Sequence, residues 1–167
     1  LHDLDRCGEA VETYDEILEI DGDNSNALIG KGNALVKMSR YDEAGEIRDI
    51  LKNNSDNAGA YILEACEYRN KNQLSEALDI LERIDDAPAT YDQAIAMMKV
   101  DILKSMNRLG DALEVCDSYI ESHIEFMDFD YGDFKVSREF PQSEKIFSLR
   151  EEILGEMDRL DAGESSK

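Results

Sequence analysis

Three sets of side chains in this sequence have the chemistry to act on a ligand: two histidines, three cysteines and a large excess of carboxylates. General acid–base work needs a base within hydrogen-bond reach of a defined partner. His2 and His123 are far apart in sequence, and Asp and Glu recur so densely that no acidic pair stands apart. A serine nucleophile elbow, a Gly-rich phosphate loop and an H-E-x-x-H zinc helix are missing from the sequence. Cys7, Cys66 and Cys116 are odd in number and lack C-x-x-C spacing, which argues against zinc and against a redox pair. Each falls at or near an apolar helical position and reads as a small core residue in a reducing compartment.

Two acidic stretches invite a calcium reading. In "EFMDFDYGDFKVSREF" (125–140), Asp128, Asp130 and Glu139 take the first, third and twelfth places of a calcium loop. Gly132 falls one place early and the fifth ligand is missing. "DGDNSN" (21–26) has no closing Glu. The expectation is therefore a chain with no catalytic residue, no cofactor and no metal.

Charge narrows the partners. There are 39 acidic and 18 basic residues, a net charge of −21. Nucleic acid is not expected, because phosphate binding needs a basic footprint. An anionic membrane surface is disfavoured for the same reason, and no apolar run has the length of a membrane span. The opening "LHDLDRCGEA" shows neither a basic n-region nor an apolar h-region, so no signal peptide is read there and a cytoplasmic location is expected. It also lacks an initiator Met, which reads as a fragment or a processed chain. The acidity suits solubility or adaptation to salt, or a basic partner on an outer face.

The elements that position any site come from a repeat. "DRCGEAVET" (5–13), "SRYDEAGEI" (39–47), "NQLSEALDI" (72–80) and "NRLGDALEV" (107–115) are copies of one pattern, whose alanines Ala10, Ala44, Ala77 and Ala112 recur every 33–35 residues. Self-similarity at that period is the mark of a repeat architecture. Each unit reads as two helices: 25–38 and 41–53, then near 58–71 and 74–84, then near 90–106 and 109–123. A lone second helix near 8–20 opens the chain. The recurring Ala sits where the two helices of a unit would cross; a larger side chain would overpack that contact. The organisation is a partial unit 1–24, units 25–57, 58–88 and 89–123, an aromatic and acidic linker 124–140, a helix 141–160 and a disordered tail 161–167. In the last helix Ile146, Leu149, Ile153, Met157 and Leu160 form one stripe, with Phe147 and Leu154 beside it.

This pattern resembles the tetratricopeptide repeat family, whose helix–turn–helix unit of about 34 residues carries W-x2-L-G-x2-Y…A-x3-F…P. The Gly slot holds Gly32, Ala65 and Val100. The Tyr slot holds Leu35, Tyr68 and Leu103, with Leu1 in the partial unit. The Phe slot holds Tyr14, Arg48, Leu81 and Cys116, and the Trp slot Leu28, Tyr61 and Ala96. "LEIDGDN" (18–24) looks like the inter-repeat turn, with Gly22 for Pro. Arg48 is polar in an aromatic slot, and the Leu of Leu-Gly is Lys31, Glu64 and Lys99. The likeness covers residues 1–123. It implies an all-α, right-handed solenoid of stacked repeats, capped by the helix at 141–160 because a solenoid must cover its last apolar face.

The resemblance also implies a use. First helices of the family line a concave groove that captures a peptide or partner segment. Carried onto this sequence, the groove residues are Asn26, Ile29, Asn33 and Lys37, then Ile62, Cys66 and Arg69, then Met97, Met98, Asp101 and Lys104. Gly30, Val36, Gly59, Leu63, Asn70, Ala94 and Ser105 share the same faces. Lys37, Arg69 and Lys104 recur near the ends of their helices and suit an acidic flank on an apolar peptide. They also suit plain complementation of helix C-termini. Members of the family that clamp acidic chaperone tails need Lys and Asn at positions held here by Ile29, Asn33, Leu63, Ala94 and Met98; only Asn33 matches, so that specialisation is not expected. The rival to peptide capture is an acidic structural or solubilising module that contacts basic partners electrostatically.

Two features lie outside the groove. Val11, Tyr14 and Ile17 of the partial unit should be partly exposed, which points to a longer parent chain or to self-association through that end. Phe126, Phe129, Phe134 and Phe140, interleaved with aspartates, read as a loop packed on the last repeat, or as a segment that docks into a groove like the chain's own.

Overall fold

The computed structural model describes residues 2–84, 87–124 and 143–162. Among them are eight α-helices and no strand, in keeping with the all-helical expectation. The readings of the aromatic linker, as calcium loop, packed loop or docking segment, lie outside the described residues. The chain divides into two compact units, Leu1–Pro88 and Ala89–Lys167.

The first unit holds α1 (His2–Ile20), α2 (Ser25–Lys37), α3 (Tyr41–Asn53), α4 (Asn57–Asn70) and α5 (Leu74–Glu82). Here α2 packs on α1, α3 and α4, while α4 also packs on α3 and α5. The second unit holds α6 (Ala89–Ser105), α7 (Leu109–Ile124) and α8 (Ser143–Asp161). There α7 packs on both α6 and α8. Ile146 and Ile153 of α8 are buried, whereas Leu160 in its last turn is exposed.

The hairpin turns explain why the nine-residue pattern recurs. Ser39, Asn72 and Asn107, each five residues before the recurring Ala, take φ of 59°, 59° and 57°. The next amide then reaches back: Arg40 N–H to Leu35 C=O at 2.9 Å, Gln73 to Tyr68 at 2.9 Å, Arg108 to Leu103 at 2.8 Å. This closes the helix C-terminus through one left-handed residue, a conformation that Asn tolerates better than most side chains do. The residue after the turn begins the next helix by accepting the amide of the recurring Ala, at 3.0–3.1 Å in all three hairpins. Its side chain meets the acid three places on: Arg40 grips Glu43 twice (2.6 and 2.5 Å), Arg108 meets Asp111 at 2.5 Å and Gln73 meets Glu76 at 3.4 Å. Between repeats, Asn24 and Asp56 cap α2 and α4 by accepting from Ala27 N–H (3.0 Å) and Gly59 N–H (2.8 Å).

Small residues let these helices meet. Ala44, Ala77 and Ala112 are all buried. A Cβ on Gly32 would stand 2.5 Å from a methyl of Leu63, and one on Gly30 would stand 2.3 Å from the ring of Tyr14. Leu28, Leu35, Ala65, Val100 and Leu103, all in repeat-pattern slots, are core residues.

One boundary differs from expectation. The first helix begins at His2, not near residue 8. Residues 5–10 carry the turn pattern, yet α1 runs straight through them. Extending a helix adds one hydrogen bond per residue fixed, whereas a left-handed Asp carries a steric penalty.

Ala77→Leu should therefore cost about 1–3 kcal/mol by overpacking a closed crossing, whereas Ala10→Leu, at a half-open site, should stay within about 0.5 kcal/mol of wild type. Urea unfolding of both variants measures this. Equal costs would mean that the two alanines have equivalent surroundings.

Candidate functional site

Three faces of α2 are taken up by α1, α3 and α4. What remains open is the row Asn26, Ile29, Asn33, Lys37: Asn26 and Lys37 are exposed, Ile29 and Asn33 half-buried. Spacings of three and four residues put them on one side of the helix. Lys37, in the last turn, makes no ion pair among the described residues.

On α4 the expectation fails at two residues. Ile62 is 3% exposed and Cys66 2%, so neither is presented to a partner. Helix α4 has α2, α3 and α5 around it, and Gly59 brings it against Ile29 so closely that an added Cβ would sit 3.0 Å from that side chain. Its apolar residues are consumed in packing. Burial also pushes the Cys66 thiol up from its ordinary value. Arg69 is half-buried. Asn70 donates to Val36 C=O (3.0 Å) and to the Tyr41 hydroxyl (2.9 Å), tying α4 to α2 and α3.

In the second unit Met97 and Met98 are half-buried and Asp101 is exposed. Lys104 is not a solitary cation. Its Nζ lies 2.8 Å from Glu152 on α8, and that hydrogen bond, with the negative charge of Glu156 and Glu152, raises the ammonium's pKa. A residue expected to meet a partner instead joins two helices, because α8 supplies carboxylates that the local sequence around Lys104 does not reveal. Arg150 does the same in the other direction, meeting Asp117 of α7 at 2.6 Å. The row of three equivalent cations thus has one member spent on α8.

Sequence reasoning missed a cleft between α1 and α2. It has a volume of about 530 Å³ and is lined by Arg6, Cys7, Ala10, Tyr14, Gly30, Asn33, Ala34 and Lys37. Of these, Gly30, Asn33 and Lys37 were expected on a groove face and Tyr14 on an exposed association surface. The available signal was the recurring Ala itself: Ala10 is half-open where its three counterparts are buried. The expected exposure of this end is seen at Ile17, 38% exposed, with Val11 and Tyr14 half-buried; Ile20 is 90% exposed.

A second missed feature lies on the α3–α4 seam. Arg48, the polar residue in an aromatic slot, bonds Glu67 at 3.2 Å, and Glu67 also accepts from Lys71 at 2.6 Å. Lys71 stands 4.4 Å over the ring of Tyr41. The Arg48 Nε is buried without a partner. The cluster is a structural clamp with one unmet donor.

His123 stacks on Tyr119 of its own helix, ring centres 4.0 Å apart, with Nδ1 2.9 Å from the Tyr119 carbonyl. His2 lies in the other unit, in the first turn of α1. Among the described residues no group of three or more His, Cys, Asp or Glu is placed to hold a metal ion, and no helix is long and apolar enough to cross a membrane.

With this geometry in hand, similarity to known proteins can be weighed. Over 126 residues, 73% of its length, the chain is 26% identical to a barley (Hordeum vulgare) protein described as a probable UDP-N-acetylglucosamine–peptide N-acetylglucosaminyltransferase SPINDLY. The shared stretch is 13% of that protein, so the chain spans a small part of the relative it matches. No family model and no solved structure matches.

Glu67→Ala should destabilise the first unit by about 1–3 kcal/mol, because it leaves a part-buried guanidinium unpaired. Arg48→Leu should be neutral or stabilising, since Leu81 occupies the same slot in the next repeat and is buried. Denaturant midpoints decide; a large loss from Arg48→Leu would make the ion pair a net stabiliser.

Proposed function

We propose that this chain is a protein-interaction module of tetratricopeptide-like repeats. In this reading the helices follow the right-handed solenoid order of that family and α8 caps the last apolar face. The module binds a protein segment along the outward faces of its first helices. The observation that carries the reading is the open row on α2. Three helices pack on α2, and the remaining side offers two amides, an aliphatic side chain and a cation that makes no ion pair among the described residues. Asn26 and Asn33 can exchange hydrogen bonds with an extended backbone, Ile29 can seat an apolar residue, and Lys37 favours an acidic flank. The reading no longer uses Ile62, Cys66 or Lys104.

The likeness to the barley protein supports the repeat part of this reading. That protein's name assigns it sugar transfer to peptides; the shared stretch is too small a share of it to bring the transfer here, and we assign no catalytic role to the chain. The cysteines are unbridged, which fits a reducing, cytoplasmic setting. A second reading, an acidic module that meets basic partners electrostatically, is favoured by the net charge of −21.

Fluorescence anisotropy with two synthetic peptides separates them: one apolar core flanked by Asp and Glu, and the same core flanked by Lys and Arg. The acidic-flanked peptide should bind better, and Lys37→Glu should weaken it about tenfold while flattening its salt dependence. Preferential binding of the basic peptide, unaffected at Lys37, would establish the electrostatic reading instead.

A further inference from the structure

Helices α2 and α6 carry the same pair of groups in different electrostatic settings. On α2, Ile29 lies about two turns before Lys37; on α6, Met97 lies about two turns before Lys104. Each base stands in the last turn of its helix, on the side that carries the half-buried apolar residue. Lys37 is exposed and makes no ion pair among the described residues. Lys104 meets Glu152 of α8 at 2.8 Å, and the negative charges of Glu156 and Asp101 act on the same ammonium.

The Lys104–Glu152 pair is not what holds α8. That helix packs mainly on α7 and also meets α6. Its anchors are Ile146 and Ile153, both fully buried, and Arg150, which bonds Asp117 of α7 at 2.6 Å. The Glu152 side chain is 54% exposed and that of Lys104 20%. Water and salt screen such a pair, and it adds little stability. Glu152 can leave Lys104 by turning its own side chain, with α8 still in place. A carboxylate on an incoming segment meets an ammonium that is already neutralised. It must displace Glu152 and stand near Glu156 and Asp101, whose charges repel it.

We propose that Glu152 is a competitor carried by the chain itself: it occupies Lys104 in place of an acidic residue of the partner. It thereby keeps the α6 face from taking the acid-flanked segment that α2 takes. Held this way, the chain offers one cationic subsite, at Lys37. With Glu152 neutralised or drawn away, Met97, Met98 and Lys104 present an apolar seat beside a cation, as Ile29 and Lys37 do. Glu156 continues to act by charge, so the release is graded and is largest when both glutamates are neutral. The inference rests on the proposed reading of first helices as binding faces and adds the control of one of them.

The test is anisotropy of the acid-flanked peptide with the full chain. Glu152→Gln should tighten binding about threefold, and Glu152→Gln with Glu156→Gln should tighten it further. Adding Lys104→Gln to Glu152→Gln should abolish the gain. Glu144→Gln, at an exposed residue in the first turn of α8, removes the same charge away from Lys104 and should leave affinity nearly unchanged. No gain from either glutamate variant would overturn the proposal. So would a gain that Glu144→Gln matches or that survives Lys104→Gln, since it would report net charge alone. A marked fall in melting temperature with Glu152→Gln would make the pair a structural clamp and overturn the exchange. Lys37→Glu separates this inference from the proposed function. Wild-type binding that depends on Lys37, with no gain from Glu152→Gln, would keep the α2 row and end the competitor. A gain from Glu152→Gln on binding indifferent to Lys37 would uphold the competitor and end the α2 row.

Discussion

How closely two helices approach where they cross decides most of this structure. Ala44, Ala77 and Ala112 are buried, and a Cβ added at Gly30, Gly32 or Gly59 would come within 3.0 Å of a neighbouring side chain. Close approach lets neighbouring aliphatic residues interdigitate at interior density, and that contact is where burial yields its free energy. The turns serve the same constraint. A single left-handed residue five places before the Ala reverses the chain in few residues, so the small residue arrives opposite its partner. A longer connection would loosen the register of the crossing.

Charge is arranged around this packing and not within it. Among the described residues no polar or charged residue is buried. The 18 basic residues stand against 39 acids, and several act as staples between helices: Lys31 to Asp15, Arg48 to Glu67, Lys104 to Glu152, Arg150 to Asp117. Most of these pairs have at least one well-exposed partner, so each adds little stability alone. Their effect is on specificity: in a chain with so many carboxylates, a base on one helix selects which neighbour it can meet. The remaining acid stays on the surface, where it favours solubility and repels like-charged ligands.

Function follows from what the packing leaves over. Helices α2 and α4 each have three neighbours in their unit, yet on α2 one row of side chains stays partly open while on α4 Ile62 and Cys66 are buried. Asn33 and Lys37 belong to that row and also line the cleft between α1 and α2.

The sequence by itself determined that the chain is helical and marked three of its turns, at Ser39, Asn72 and Asn107. These depend on residues three to five apart, whose capping and turn chemistry is local. The resemblance suggested Asn26, Ile29, Asn33 and Lys37 as a groove face, and helical spacing puts them on one side of α2; their partial exposure is a property of the structure. Only the tertiary structure decided what that periodicity cannot. Ile62 and Cys66 sit in the same register as Ile29 and Asn33 of α2 but are buried; this depends on where neighbouring helices lie and not on how many there are, since α2 and α4 each have three. Lys104 is committed to Glu152, 48 residues away, on a helix outside the repeat pattern. Residues 5–10 carry the turn pattern yet form a helix, because local turn chemistry does not by itself outweigh continued helical hydrogen bonding.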